Sequence, residues 1–126
     1  MSDDSADGFI PYLGVQDMQA DEGRASLWLE AGDRHLNPAG TVHGGVLASL
    51  VDMAMGHAVR SSTGESDVPA TSQLTLTYLR PGRPGRITVR AAVSKQGDDL
   101  TVCEADVEQD GKGLAHALAT FAVLHR

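Results

Sequence analysis

Residues 44–59 read GGVLASLVDMAMGHAV, and nearly all of them are apolar or small. Between His43 and Arg60 only Asp52 must carry a formal charge near neutral pH, and it sits among Leu50, Val51, Met53 and Ala54. Val46, Leu47, Leu50, Val51, Met53, Ala54, Met55, Ala58 and Val59 cover nearly the whole circumference of a helix. That pattern predicts a helix from Gly45 to about Arg60, surrounded by protein and forming the core. A carboxylate there needs a reason: buried without a partner, it costs several kcal/mol or its pKa rises until it stays protonated. Its sequence neighbours offer too little polarity to hold it as a structural group, so Asp52 leads the functional candidates.

Upstream, RASLWLEA (24–31) alternates, with Ala25, Leu27, Leu29 and Ala31 on one parity, which predicts a half-buried strand. GDRHLNPAGTVHGG (32–45) has no periodicity and is rich in turn formers, so it reads as an ordered loop feeding the helix. Downstream of the polar SSTGESDVP (61–69), the period becomes two. TSQLTLTYL (71–79) places Leu74, Leu76 and Tyr78 on one face, and RITVRAAVSKQ (86–96) does the same with Ile87, Val89, Ala91 and Val93. LTVCEADVEQDGKGLAHALATFAVLHR (100–126) reads as two more strands joined at Asp110-Gly111, a hairpin signal. Strand, loop, buried helix and four serial strands give an α+β domain, an antiparallel sheet curled around one helix. Residues 9–126 are expected to form this single domain, and residues 1–8, MSDDSADG, a loose polar tail unlike a secretory signal.

With 126 residues and a formal net charge of −7, the chain is long enough for one core and carries an acidic excess that argues against nucleic-acid binding. Cys103 is the only cysteine, which excludes an intrachain disulfide and fits a reducing, cytoplasmic setting. The apolar run at 44–59 is shorter than the ~20 residues a bilayer requires and carries Asp52 at its centre, so no membrane span is expected. No pair among His35, His43, His57, His116 and His125 shows HxxxH spacing, and no CxxC is present, so no metal centre is expected. GTVHGG (40–45) lacks the Lys-Ser/Thr of a P-loop and a full GxGxxG, and there is no GxSxG elbow.

A glycine pair does enter the helix. Gly44 and Gly45 have no side chain to keep a ligand from the backbone, and N–H groups at a helix start are unsatisfied donors on the positive end of the dipole. Such donors build an oxyanion hole, although plain loop-to-helix packing also selects glycine. Asn37, before Pro38, is either a turn former or an amide aimed into a site. His43 suits a structural hydrogen-bonder better than a base.

NPAGTVHGGVLASLVDMA (37–54), followed by TSQLTLTYLRPGRPG (71–85), resembles the hotdog-fold thioesterases, in the branch of the phenylacetate-pathway acyl-CoA thioesterases. The likeness runs from about Ala25 to the C-terminus. It implies a hotdog fold, a dimer and often a tetramer, acyl-CoA as substrate, and hydrolysis without metal or cofactor. It assigns the oxyanion N–H to Gly44, with Gly45 beside the substrate, and polarisation of the thioester carbonyl to Asn37. The acid that activates water or attacks directly falls on Asp52, and a hydroxyl holding that water on Thr71, with Ser72 next to it.

Helix geometry gives an independent reason for the dimer. Gly44 and Asp52 are eight residues apart (52 − 44), ~12 Å along a helix axis, too far for one thioester to touch both. Two antiparallel helices in a twofold dimer put Asp52 of each chain opposite Gly44 of the other. Arg80, Arg83 and Arg86 in LRPGRPGR (79–86) offer positive charge for coenzyme A phosphates, or are ordinary residues of a solvated hairpin turn. Met53, Met55 and Leu47 are candidate acyl-pocket walls. The expected function is an acyl-CoA thioesterase, the alternative a non-catalytic acyl-CoA binding or sensing protein on the same dimer.

Overall fold

The structure is a computed structural model and describes residues 8–64 and 66–124. Seven residues of the expected tail (1–7) and His125 lie outside the described residues; Gly8 is the N-cap of the short helix α1 (Phe9–Leu13). Six strands follow: β1 (Gln16–Asp21), β2 (Arg24–Ala31), β3 (Val68–Tyr78), β4 (Gly85–Gln96), β5 (Leu100–Gln109) and β6 (Lys112–Leu124). A turn of 3-10 helix (Asp33–His35) and the long helix α2 (Gly44–Thr63) lie between β2 and β3. The sheet runs β1-β2-β4-β5-β6-β3, every neighbour antiparallel. Among the described residues no helix is long and apolar enough to cross a membrane.

The period-two segments became strands because each buries alternate residues under α2: Leu27 and Leu29 on β2, Ile87 and Val89 on β4, Cys103, Ala105 and Val107 on β5, and Ala117, Ala119 and Phe121 on β6. The hairpin expected at Asp110-Gly111 is present, with φ of 52° and 77° at those residues. Both sit in the left-handed region that lets a two-residue turn follow the sheet twist. An equivalent turn at Glu22 (φ 48°) and Gly23 (φ 80°) joins β1 to β2. β1 escaped sequence reading because QDMQAD is polar, and Asp17 at φ 49° breaks its register between Gln16 and Gln19.

Two expectations need correction. α2 is not surrounded: Leu47, Leu50, Val51, Ala54, Met55, Ala58 and Val59 are buried, whereas Gly45, Ala48, Ser49, Asp52, Met53, Gly56 and His57 form a strip left open in the single chain. Nor is LRPGRPGR a hairpin. It starts at the end of β3, an outer edge, and leads to β4, which pairs with β2 and β5.

Candidate active site

The first turn of α2 is arranged around one peptide unit. His43 is the N-cap (φ −58°, ψ 133°), and its N–H donates to the His35 carbonyl at 2.8 Å. Its Nδ1 accepts the Gly45 N–H at 2.8 Å, so in the neutral ring Nε2 carries the proton. Its carbonyl accepts the Val46 N–H at 2.9 Å. The Gly44 N–H between them meets no acceptor among the described residues, and it points from the positive end of a 20-residue helix. Tyr78, from the far end of β3, donates its hydroxyl to the Gly44 carbonyl at 2.7 Å.

Of the two reasons for glycine at 44 read in the sequence, ligand approach and packing, the structure shows a packing contact. A Cβ on Gly44 would lie 3.0 Å from the Tyr78 hydroxyl and 3.2 Å from its Cζ, so Tyr78 and not a ligand fills the missing side chain's space. On Gly45 a Cβ would come within 3.0 Å of His43 Nδ1.

Two turns along α2, Asp52 is half-buried and Oδ1 accepts a hydrogen bond from Thr71 Oγ1 at 2.5 Å. This corrects the picture of a carboxylate enclosed by apolar neighbours. Leu50, Val51, Ala54 and Met55 point into the core, while Asp52 and Met53 face the open strip. Thr71 reaches Asp52 beside a β-bulge: Thr71 pairs with Phe121 and Gln73 with Thr120, leaving Ser72 as the extra residue. Ser72 donates to the Thr120 carbonyl at 3.1 Å, a bond within its own sheet. Further along, His57 has its pKa lowered by partial burial and then by the Arg60 charge, which favours the neutral ring.

The remaining candidates divide. Asn37 closes its own loop: Oδ1 accepts the Ala39 and Thr41 N–H groups at 2.9 and 3.2 Å, and Nδ2 donates to Thr41 Oγ1 at 2.9 Å. Arg80 lines an open depression of about 450 Å³ with Gly44, Gly45, Tyr78 and Leu79, and Nη1 donates to the Gly113 carbonyl at 2.9 Å. Arg80 and Arg83 both line a second hollow, with Gln109, Asp110 and Lys112. Arg86 stacks on Trp28 at 3.6 Å, on the sheet face away from α2. Arg80 and Arg83 thus share a hollow, and Arg86 stands apart from it. Leu47 borders the Gly44 depression, but Met55 is fully buried core and no pocket wall.

Sequence reading missed two supports. Tyr78 alternated correctly as an inward residue, but its meeting with Gly44 spans 34 positions and has no local signal. Buried His35 accepts the Gly32 N–H on Nδ1 (3.0 Å) and donates Nε2–H to the Leu13 carbonyl (2.8 Å), tying α1 to the loop that carries His43. An apolar hollow of about 350 Å³ lies beside that tie, lined by Phe9, Tyr12, Leu13 and Val46.

The family model described as thioesterase superfamily matches residues 39–116. Acyl-coenzyme A thioesterase PaaI of Escherichia coli is 32% identical over 102 residues, covering 80% of this chain and 71% of its own. The conserved protein PA5202 of Pseudomonas aeruginosa superposes with a TM-score of 0.90 at 32% identity, over 93% of this chain and 94% of its own. The smu.793 protein of Streptococcus mutans, solved bound to acetyl CoA, gives 0.81 at 26% identity, over 87% and 89%. With the family model spanning the loop, α2 and most of the sheet, the chain belongs to the thioesterase superfamily and is a thioester hydrolase.

Proposed function

We propose that the chain hydrolyses acyl-CoA thioesters to the free acid and coenzyme A, in a site shared between two copies. The observation that carries this is the unpaired Gly44 N–H at the start of α2, with the Asp52–Thr71 pair on the same helix. Gly44 donates to the thioester oxygen as negative charge develops there. Asp52 of the other copy removes a proton from water, whose oxygen adds to the carbonyl carbon. The C–S bond then breaks, and the thiolate takes the proton back from Asp52. Thr71 orients the carboxylate. Attack by Asp52 itself, through an anhydride, is distinguished by single-turnover hydrolysis in labelled water.

Three features support the shared site. Eight residues of unbroken helix separate Gly44 from Asp52, ~12 Å. The open strip of α2 is mostly small, with Gly45, Ala48 and Ser49 between Gly44 and Asp52 and Gly56 beyond, and suits close approach by a second helix. β3 ends the sheet with 11 residues whose outer edge is unpaired among the described residues, and only Pro69 and no charged side chain blunts it. On the sheet's outer face, exposed Leu100, Val102, Leu118 and Leu124 support pairing of dimers into a tetramer. The lone buried thiol of Cys103 suits the cytoplasm, and residues 9–126 act as one catalytic domain.

Arg80 beside Gly44 is the basic residue best placed for coenzyme A, with Gly45 along the substrate path and Met53 on the open strip beside Asp52. The structure of E. coli PaaI is described as coming from the phenylacetic acid degradation operon, the reason to put aryl acyl groups first in a substrate panel. The test is thiol release across aryl- and alkyl-CoAs. Turnover of at least one supports the reading; flat traces with coenzyme A binding retained would establish a binding or sensing protein instead.

A further inference from the structure

The carbonyl of Gly44 and the N–H of Gly45 belong to one peptide unit, and each end is held by a different side chain. Tyr78 Oη donates to the carbonyl at 2.7 Å, and His43 Nδ1 accepts the N–H at 2.8 Å. The preceding unit is held at its carbonyl, by Val46, which leaves the Gly44 N–H as its free end. Between the two units stands a glycine, whose φ and ψ are the softest the chain can offer. An oxyanion donor is useful only when its direction is fixed before the reaction, so this hinge must be stiffened from outside.

We infer that Tyr78 is a positioning residue for the hydrolysis: with the His43 ring it clamps the Gly44–Gly45 peptide and so aims the Gly44 N–H at the thioester oxygen. The assignment rests on the thioesterase reading above. Packing alone does not explain the residue. In the single chain Tyr78 is 53% exposed, and a phenylalanine would cover Gly44 equally well. The hydroxyl is the part that reaches the backbone. Tyr78 also comes from the last position of β3, so the edge strand proposed to join two copies also fixes the donor of each site.

Tyr78→Phe isolates that hydroxyl. The expected result is a kcat lowered about five- to tenfold, the kinetic equivalent of one neutral hydrogen bond, with KM changed less than about twofold. In amide correlation spectra of the ligand-free protein, the Gly44 and Gly45 resonances move, and exchange of the Gly45 amide quickens several-fold because its peptide loses the Tyr78 anchor. The melting temperature serves as the folding control. Unmoved Gly44 and Gly45 amides, an unchanged kcat, or a loss confined to KM would each overturn the assignment. If the wild-type chain turns over no thioester, the thioesterase reading fails, and the amide measurement alone decides whether Tyr78 holds this peptide.

Discussion

Proline at position 44 deletes one hydrogen-bond donor while leaving a helix start that proline accepts. Gly44 opens α2, where proline is tolerated because the N–H has no partner within the helix. His43, at φ −58° and ψ 133°, already has the extended conformation that a residue before proline adopts. The new Cβ would meet Tyr78 at 3.0–3.3 Å, so the exposed ring must shift. Gly44→Ala imposes the same Cβ and keeps the N–H, which makes it the control. Alanine alone is expected to lose about tenfold in kcat through the disturbed Tyr78 bond. Proline should lose a further ~10²–10³, about 3–4 kcal/mol, the usual value of an oxyanion donor. Steady-state thiol release from the best acyl-CoA measures the ratio, with circular dichroism and thermal melting to establish that both variants fold. A proline variant as fast as the alanine variant would refute the role of the Gly44 N–H.

Asp52→Asn should lower kcat by ~10²–10⁴ with KM nearly unchanged, the amide keeping shape without basicity, and Thr71→Val should lower it about tenfold; equal turnover in the Asn variant would remove Asp52 from the chemistry. Subunits of Gly44→Pro and Asp52→Asn, co-refolded, should recover about a quarter of wild-type activity if half the dimers are hybrids, since each hybrid has one intact composite site. Verified hybrids that stay inactive would mean that both groups act within one chain. Burial raises the Cys103 thiol from 9.0 to about 11, so the unfolded chain ionises first as pH climbs. The stability this group contributes is complete below pH 9 and is lost between there and pH 11, about 2–3 kcal/mol. Cys103→Ala should flatten that alkaline decline in denaturant midpoints.

What sequence could and could not show follows from how helices and sheets place side chains. Alternation in β2, β4, β5 and β6 was readable because each strand has one face under α2. β1 was not, since an edge strand with almost nothing to bury carries no period. The setting of Asp52 was misread for a geometric reason. Residues adjacent in a helix diverge by about 100° around the axis, so Val51 and Met53 say little about what surrounds position 52. Its real neighbour, Thr71, arrives from β3 beside a bulge. The Asn37 amide left two readings open, and its closure of the loop onto Thr41 spans four residues that no periodicity marks. Sequence proximity joined Arg80, Arg83 and Arg86; Arg80 and Arg83 do share a hollow, and stacking on Trp28 sets Arg86 apart.

Beneath α2 the sheet is floored with very small residues: Ala105 on β5 and Ala115, Ala117 and Ala119 on β6 are all buried. The depth of that floor sets how low the helix lies, and Gly44 and Asp52 ride on the same stiff rod. In the proposed dimer each rod supplies the donor to one site and the acid to the other. An added methylene under the helix, as in Ala117→Val, would therefore tilt a shared axle and detune both sites together. Such a substitution touches no substrate, yet its effect would appear in kcat at both ends of the assembly. Selection for alignment therefore extends to the smallest side chains of the core.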